Sequence, residues 1–337
     1  MTMAIDYLSE ILKNTYKEAV SAWYEEGISE EEIIERISLN KVESTMQAML
    51  DQATTDIHNF FVDKQFEIAH RQKIKEDKFL AHHNEIWGEC FATSEAMYVM
   101  AVEAAEEYSK FVSENIPEKE REKKQFTFFT LQYMHGRCCQ EYLEILHLMK
   151  YGFADCAYAR WRSMYELACN ASFIVKHGEQ IAKQYFEQTQ TADYKYEWTK
   201  GAKKDDGSEL KINTFQGIQD NCNVREEWRR QYKLACLVNH GSPQGTFKRM
   251  CLGKAQNLVV VGQSDYGITT PAEHSAICLN WISSMFLSVF PCLDAMAHIK
   301  VIDSWVEEVR KSYFKTADEC FGTSFNYTDE DSNNDNE

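Results

Sequence analysis

The chain of 337 residues has an ordinary globular composition, with 44% hydrophobic and 26% charged residues, and it is long enough to bury a substantial core without disulfides or metals. Its 4 prolines and 14 glycines exclude collagen-like and proline-rich disordered classes and disfavour a β-sandwich with many turns. A formal net charge of −17 argues against general binding to nucleic acid or anionic membrane, which both favour clustered Lys and Arg. We predict an all-α protein, a bundle of long helices.

Nearly all of the first third of the chain has helical character. An apolar face begins at Ile5 and recurs at three- and four-residue steps, and Ser29 followed by three glutamates is typical of a capping-box helix start. No proline or glycine lies between Leu39 and Gly88, which predicts a long helix, and the mixed charges of residues 71–78 predict a solvated face. The apolar members that we expect in this helix are Met46, Met49, Leu50, Ile57, Phe60, Phe61 and Phe66.

The sequence from Asn115 to Pro117 marks the first break in this helical pattern. Thr270-Pro271-Ala272-Glu273 combines an N-cap, a first-turn proline and a capping-box glutamate, and it predicts a helix to about His298 that Pro291 kinks. The elements predicted between these points are helices over residues 118–150, 153–177, 178–200 and 224–238, a hinge at Tyr151-Gly152, a loop over 201–223 and a candidate strand over 258–261.

These patterns divide the chain into three predicted regions. Residues 1–116 form a helical region that covers the bundle or builds a dimer, and residues 117–320 form the bundle that holds the candidate site. Residues 321–337 are an acidic, disordered tail.

The cysteines and the N-terminus predict the compartment. The eleven cysteines are odd in number and form no C-x-x-C motif, which indicates reduced and mostly buried thiols. The first residues, MTMAIDYLSEILKN, are acidic and amphipathic, unlike a signal peptide, and no stretch is apolar over the length of a bilayer span. We therefore expect a cytoplasmic protein.

Two E-x-x-H pairs on predicted helices raise the question of a metal. Glu67 with His70, and Glu144 with His147, have the one-turn spacing of the pairs that form the centre of ferritin-like di-iron proteins together with two further glutamates. Roughly one such pair is expected by chance from this composition, and His70 lies in a polar stretch. We keep a di-iron protein as a third hypothesis, and otherwise predict no metal or cofactor.

A second candidate site lies in the predicted helix over 153–177. Arg162 and Glu166 are four residues apart in an otherwise apolar run, with Tyr165 beside them. Each charge must be paired, because an unpaired buried charge is very costly. Either the two form an i,i+4 ion pair that helps to pack the bundle, or Arg162 offers its guanidinium to a phosphate while Glu166 orients it.

His240 is the third candidate. It ends an apolar helix directly before Gly-Ser-Pro, where a side chain can leave the helix and project into a cleft. It either interacts with the last carbonyls of that helix or acts as a general acid and base near neutral pH. The candidate substrate-binding residues are Tyr165 and Ser242. The sequence contains no G-x-x-x-x-G-K, G-x-G-x-x-G or G-x-S-x-G motif, so nucleotide-cradling loops and hydrolase elbows have no support.

The segment YGFADCAYARWRSMYELACNASFIVKH, followed by YKLACLVNHGSP and a capped C-terminal helix, resembles a bacterial helical family catalogued as a domain of unknown function, number five-six-seven-seven. We expect the resemblance to extend over residues 118–300. The positions that carry it are Gly152, Arg162, Glu166, Tyr232 and His240.

That family is in turn similar to the HEPN domains, all-helical units whose active members are metal-independent ribonucleases of toxin–antitoxin, CRISPR-linked and anti-phage systems. Active HEPN proteins place an arginine four to six residues before the histidine, usually across a dimer interface. Leu234, Ala235 and Cys236 occupy those positions here. The resemblance therefore implies either an enzyme in which Arg162 supplies the guanidinium from a neighbouring helix, or a non-catalytic relative.

Two main function hypotheses result. The first is a HEPN-like RNA phosphodiesterase, or toxin-like effector, of a bacterial defence or stress system, with His240 as acid and base, Arg162 as phosphate clamp and Glu166 fixing that arginine. Its expected partners are RNA, an operon-encoded protein and a second copy of the chain in a homodimer, but not a membrane. The second is a non-enzymatic interaction or sensor module of a defence operon, in which the Arg162–Glu166 pair is structural.

Overall fold

A computed structural model describes residues 13–14, 17–18, 20–36, 39–190, 196–225, 227–240, 242–253 and 259–322. The all-α prediction is confirmed: these residues form helices and contain no β-strand, and one isolated antiparallel bridge joins Lys203 to Glu209. The α-helices are α1 (Glu30–Arg36), α2 (Leu39–Asn115), α3 (Glu118–Lys123), α4 (Gln125–Lys150), α5 (Ala154–His177), α6 (Glu179–Glu187), α7 (Phe215–Asn221), α8 (Glu227–Asn239), α9 (Pro243–Phe247), α10 (Thr269–Leu287) and α11 (Leu293–Phe321).

The N-terminal predictions hold where the structure describes them. The Ser29 hydroxyl accepts a hydrogen bond from the Glu32 amide at 3.3 Å and so caps α1. The predicted long helix is α2, which passes through Gly88 and ends just before Pro117. Ile5 and residues 323–337 of the predicted tail lie outside the described residues.

Several predicted boundaries are wrong. The helix over 118–150 is interrupted at Lys124, and the helix over 178–200 is regular only in α6. The loop over 201–223 contains α7, which Thr214 caps by accepting a hydrogen bond from the Gly217 amide. The described part of the candidate strand, residues 259–261, has no strand structure, and two of its valines are almost fully exposed.

The helix predicted from Thr270 to His298 is two helices. It begins one residue earlier, at Thr269, with no side-chain cap, and Glu273 is not part of a capping box. The Glu273 carboxylate instead lies 2.7 Å from the Arg310 guanidinium on α11. Pro291 does not kink a continuous helix, because α10 has already ended at Leu287 and α11 begins after the proline.

The chain divides into two compact units, Met1–Lys78 and Phe79–Glu337, whereas the sequence predicted a boundary at residue 116. In the first unit Met49 and Ala53 are buried. Other apolar residues of α2 in this unit are exposed, namely Leu50, Phe60, Phe61, Val62, Phe66 and Ile74. The run over 71–78 is largely solvated and its charges pair locally, with Lys73 close to both Glu76 and Asp77.

The division lies at residue 78 because the part of α2 after it contributes to the core of the second unit. Residues at three- and four-residue steps are buried there: Trp87, Cys90, Phe91, Met97, Ala101, Ala104, Tyr108 and Val112. Trp87 stacks on Tyr313 of α11 with ring centroids 5.9 Å apart, and the Ser94 hydroxyl lies 3.0 Å from the Tyr313 hydroxyl.

Helices α4, α5 and α10 form the centre of the second unit. α10 contacts α4, α5 and α11, and α5 also contacts α8. The eleven cysteines are free thiols. In the described part of the chain, no helix has an apolar stretch long enough to cross a membrane.

Candidate functional site

The turn between α4 and α5 sets the position of the candidate helix. Gly152 has a φ of +72°, and an added Cβ would lie 2.6 Å from Cζ of Phe79 and 2.8 Å from the carbonyl oxygen of Ser264. Only glycine adopts this conformation in so little space. The predicted hinge is therefore a close-packed turn, and it fixes where the first turn of α5 begins.

Arg162 and Glu166 form the ion pair that their spacing predicted. The Arg162 Nε lies 2.9 Å from the Glu166 carboxylate, and it also faces the Tyr232 hydroxyl of α8 at 3.4 Å. That hydroxyl donates to the same carboxylate at 2.7 Å, and the guanidinium lies 5.6 Å from the centre of the Tyr232 ring. We call these three residues the Arg162 cluster.

Tyrosines make the Arg162 cluster a rigid link between α5 and α8. Burial and the hydrogen bond to Glu166 raise the pKa of Tyr232 above its ordinary value, so the hydroxyl stays protonated and donates. Tyr165 was predicted to bind substrate, but it is fully buried and its hydroxyl accepts a hydrogen bond from Gln219 at 3.1 Å. The centre of its ring lies 5.1 Å from that of the Tyr232 ring, so Tyr165 packs against the Arg162 cluster.

A second charged group on α4 and α5 was not recognised in the sequence. Glu141 is fully buried, and its carboxylate lies 2.9 Å from Arg137 and 3.2 Å from Arg160. Arg160 also contacts Glu144 at 2.5 Å. The spacing of glutamates and arginines by three and four residues could have indicated ion pairs within a helix. The ion pairs between α4 and α5 depend on how these two helices pack, which the sequence does not show.

The structure does not assemble the predicted di-iron ligands. Glu144 is bound to Arg160, and His147 is exposed. Glu67 and His70 are exposed too, and Glu67 pairs with Lys64 at 3.0 Å. Within the described ranges no three His, Cys, Asp or Glu side chains come close enough to share a metal ion.

His240 lies directly after α8 and lines a cavity of about 440 Å³. The cavity brings it together with Asp155 and Cys156 of α5 and with Arg249. We call this space the His240 cavity. The imidazole is exposed, whereas Asp155 is buried and held by two interactions, a hydrogen bond from the Met250 amide at 2.9 Å and an ion pair with Arg249 at 3.3 Å.

A tight turn between α8 and α9 presents His240 to the cavity. The Ser242 hydroxyl donates to the Leu237 carbonyl and accepts from the Gly245 amide, both at 3.0 Å. An added Cβ on Gly245 would lie 2.1 Å from the Leu237 carbonyl oxygen, so the two helices abut. Ser242 was predicted to bind substrate, but both hydrogen bonds of its hydroxyl hold this turn together.

The residues that line the His240 cavity do not include Arg162, Glu166 or Tyr232. Tyr232, which contacts Arg162, precedes His240 by eight residues, which is roughly 12 Å along a helix axis. Arg249, in contrast, lies in the same cavity as the imidazole.

Sequence reasoning missed Asp155, Cys156 and Arg249. The Asp155–Arg249 pair has no local spacing to reveal it, but the charge distribution offered a signal. Residues 223–254 contain seven Lys and Arg and two Glu, a net charge of +5, in a chain whose net charge is −17. This most basic segment surrounds His240.

Comparison with known proteins finds a family model that matches part of the chain. Residues 128–223 match the model of a family of unknown function (DUF5677), which confirms the suspected resemblance over those residues. The match includes the turn at Gly152 and all of α5, but it is shorter than the expected 118–300 and does not reach Tyr232 or His240. No curated protein and no solved structure matches the chain.

Proposed function

We propose that this protein is a HEPN-like RNA phosphodiesterase of a bacterial defence or stress system, and that the His240 cavity takes the scissile phosphodiester. The observation that carries the proposal is the cavity itself, in which an imidazole, a guanidinium and a buried carboxylate share one space of about 440 Å³. A cleft of this size with a few convergent polar groups is the usual form of a small-molecule or substrate site.

Each group has a chemical role in RNA cleavage. The His240 imidazole accepts the proton of a ribose 2′-hydroxyl as that oxygen attacks phosphorus, and general base catalysis of this kind contributes typically about 10²–10⁴-fold. The bond from phosphorus to the 5′-oxygen breaks, the 5′-oxygen leaves with the proton that the imidazolium returns, and a 2′,3′-cyclic phosphate remains. Arg249 offers N–H donors to the phosphate oxygens, where negative charge accumulates in the transition state. Asp155 holds that guanidinium through its ion pair.

The local charge supports an anionic substrate despite the acidity of the whole chain. Arg230, Lys233 and Lys248 are exposed in the basic segment over 223–254, and no carboxylate among the described residues forms an ion pair with them. Phosphate contacts by such side chains dominate affinity for nucleic acid. We further propose that the enzyme acts in the cytoplasm, as a homodimer and with a protein partner from its own operon.

Arg249 takes the place that the sequence assigned to Arg162. In active HEPN proteins the guanidinium comes from just before the histidine, and here that position holds Leu234, Ala235 and Cys236. Arg162 is engaged by Glu166 and Tyr232, so its role in this proposal is structural.

Cleavage of total RNA by the purified full-length protein in EDTA tests the proposal. We expect RNA to be cut by the wild type and not by His240→Gln, while single-stranded DNA of the same sequence stays intact because it lacks the 2′-hydroxyl. His147→Gln, which changes another exposed histidine, is the matched control and should cut at the wild-type rate. Wild-type protein that leaves RNA intact, alone and with its operon neighbours, would overturn the proposal.

One observation favours a second function, a non-enzymatic interaction or sensor module. The residues 128–223 that match the family contain the Arg162–Glu166 pair but not His240. The two charges of that pair contact each other, and Glu166 also accepts a hydrogen bond from Tyr232. If the family's shared property is this helical scaffold, its members bind partners and do not cleave RNA. RNA left intact by the wild type and by His240→Gln alike would favour this alternative.

A further inference from the structure

Two cysteines that are far apart in the sequence lie close together, one turn along α5 from Tyr165. Cys169 lies on α5 and is fully buried, and Cys222 directly follows α7 and is half-buried. Each thiol shifts the pKa of the other, so the two side chains are neighbours. The Cys222 sulfur also lies 3.5 Å from the Gln219 carbonyl oxygen.

Hydrogen bonds on both sides of the two thiols connect α5 to the end of α7 and the residues that follow it. On one side, Gln219 donates to the hydroxyl of Tyr165, which lies one turn before Cys169 on α5. On the other side, the amide of Asn223 donates to the hydroxyl of Ser172 at 2.9 Å. Two short connections that bracket a pair of cysteines keep their backbones close, which is the condition for a disulfide without large movement.

The two thiols are not equivalent. The neighbouring Cys169 side chain lowers the pKa of Cys222, and the nearby Arg229 guanidinium acts in the same direction. Burial raises the pKa of Cys169. Cys222 is therefore both the more accessible thiol of the pair and the one whose pKa is lowered, and Cys169 is its buried neighbour.

We propose that Cys169 and Cys222 are a reversible redox modification site, in which a peroxide converts the two thiols to an intramolecular disulfide. The site is independent of RNA cleavage and of the His240 cavity. The disulfide would tie α7 covalently to α5. Arg229 of α8 donates to the Gln219 carbonyl at 2.7 Å and pairs with Asp220 at 2.6 Å, so the link would extend from α5 through α7 to α8.

The reaction balances with hydrogen peroxide as the oxidant. The Cys222 thiolate attacks one peroxide oxygen, the O–O bond breaks, and the sulfur becomes a sulfenic acid while the other oxygen leaves as water after taking a proton. Cys169 then attacks this sulfur, the S–O bond breaks, and a second water leaves with the Cys169 proton. Two thiols have lost two electrons, and one peroxide has become two waters.

Peptide mapping of the native, full-length protein tests the site. After brief peroxide treatment, free thiols are blocked by alkylation and the protein is digested with trypsin without reductant. Cleavage after Arg162, Lys176, Lys211 and Arg225 gives residues 163–176, with Cys169 as their one cysteine, and residues 212–225, with Cys222 as theirs. We expect these two peptides joined and two hydrogens lighter than their sum, and separate again after reduction.

Three variants keep the result interpretable. Cys222→Ser changes a half-exposed residue and should abolish the joined peptide without unfolding the protein. Cys169→Ala should abolish it too, because no second thiol remains to displace the oxygen from the Cys222 sulfur. Cys320→Ser removes an exposed cysteine outside the pair and should form the joined peptide as the wild type does. The proposal is overturned if Cys222 is still alkylated after peroxide, if it pairs with another cysteine, or if it oxidises irreversibly in the wild type.

Discussion

The Arg162 cluster and the His240 cavity both place an arginine beside a carboxylate, but the second pair also lines a cavity with an exposed histidine. In the Arg162 cluster, Glu166 and Tyr232 bind the guanidinium and each other. In the His240 cavity, Arg249 and Asp155 are paired along a wall that an exposed imidazole shares. In the Arg162 cluster the charges contact one another within the helix packing, whereas the chemistry that we propose lies where polar groups line a cavity.

After the loss of His240, the change that we expect to slow RNA cleavage most is the loss of Arg249. We expect Arg249→Gln to slow RNA cleavage by about 10–100-fold, because it removes charged donors from the phosphate. Arg249→Lys should recover part of the rate, since it keeps the charge but not the planar fork. Initial rates on a labelled RNA measure both, and an unchanged rate in Arg249→Gln would remove the cavity arginine from the account.

Acid stability tests the burial of His135, a histidine in the helical core of the second unit. Burial lowers the pKa of His135 to about 4, below its ordinary value of 6.5, so the folded protein binds fewer protons than the unfolded chain between these values. Stability is therefore unaffected above about pH 6.5 and falls as the pH drops toward 4, by about 2 kcal/mol from this residue at pH 5.

Urea unfolding at about pH 7 and pH 5 measures this loss. His135→Gln should show a smaller loss on acidification than the wild type, although it is less stable at neutral pH because it disturbs the contact with Ser283. Equal losses in the wild type and His135→Gln would contradict the assignment.

The smallest effect concerns the link between α5 and α8. Tyr232→Phe removes one hydrogen bond to Glu166 and keeps the ring packing, so we expect it to cost about 1 kcal/mol of unfolding free energy and to leave RNA cleavage unchanged. The matched control is Tyr133→Phe, which changes an exposed tyrosine on α4 and should leave stability within about 0.5 kcal/mol. Loss of cleavage in folded Tyr232→Phe would place the Arg162 cluster in the active site.

The sequence predicted those features that depend on neighbours along the chain. The long helix α2, the break at Pro117 and the Arg162–Glu166 pair all follow from local spacing. The start of α10 misled the prediction, because Glu273 resembles a capping-box residue but pairs with Arg310 on another helix. Asp155 and Arg249 likewise meet only after the chain has folded, so the composition of the His240 cavity was not accessible from spacing.

One assay tests the central claim, that the Arg162 cluster stabilises the fold while the His240 cavity performs chemistry. It compares Arg162→Gln with His240→Gln in both RNA cleavage rate and unfolding free energy. We predict that Arg162→Gln loses about 1–2 kcal/mol of stability and keeps its cleavage rate, whereas His240→Gln loses cleavage by about 10²–10⁴-fold and keeps its stability. Folded Arg162→Gln protein without cleavage, beside His240→Gln protein that still cleaves, would contradict the account.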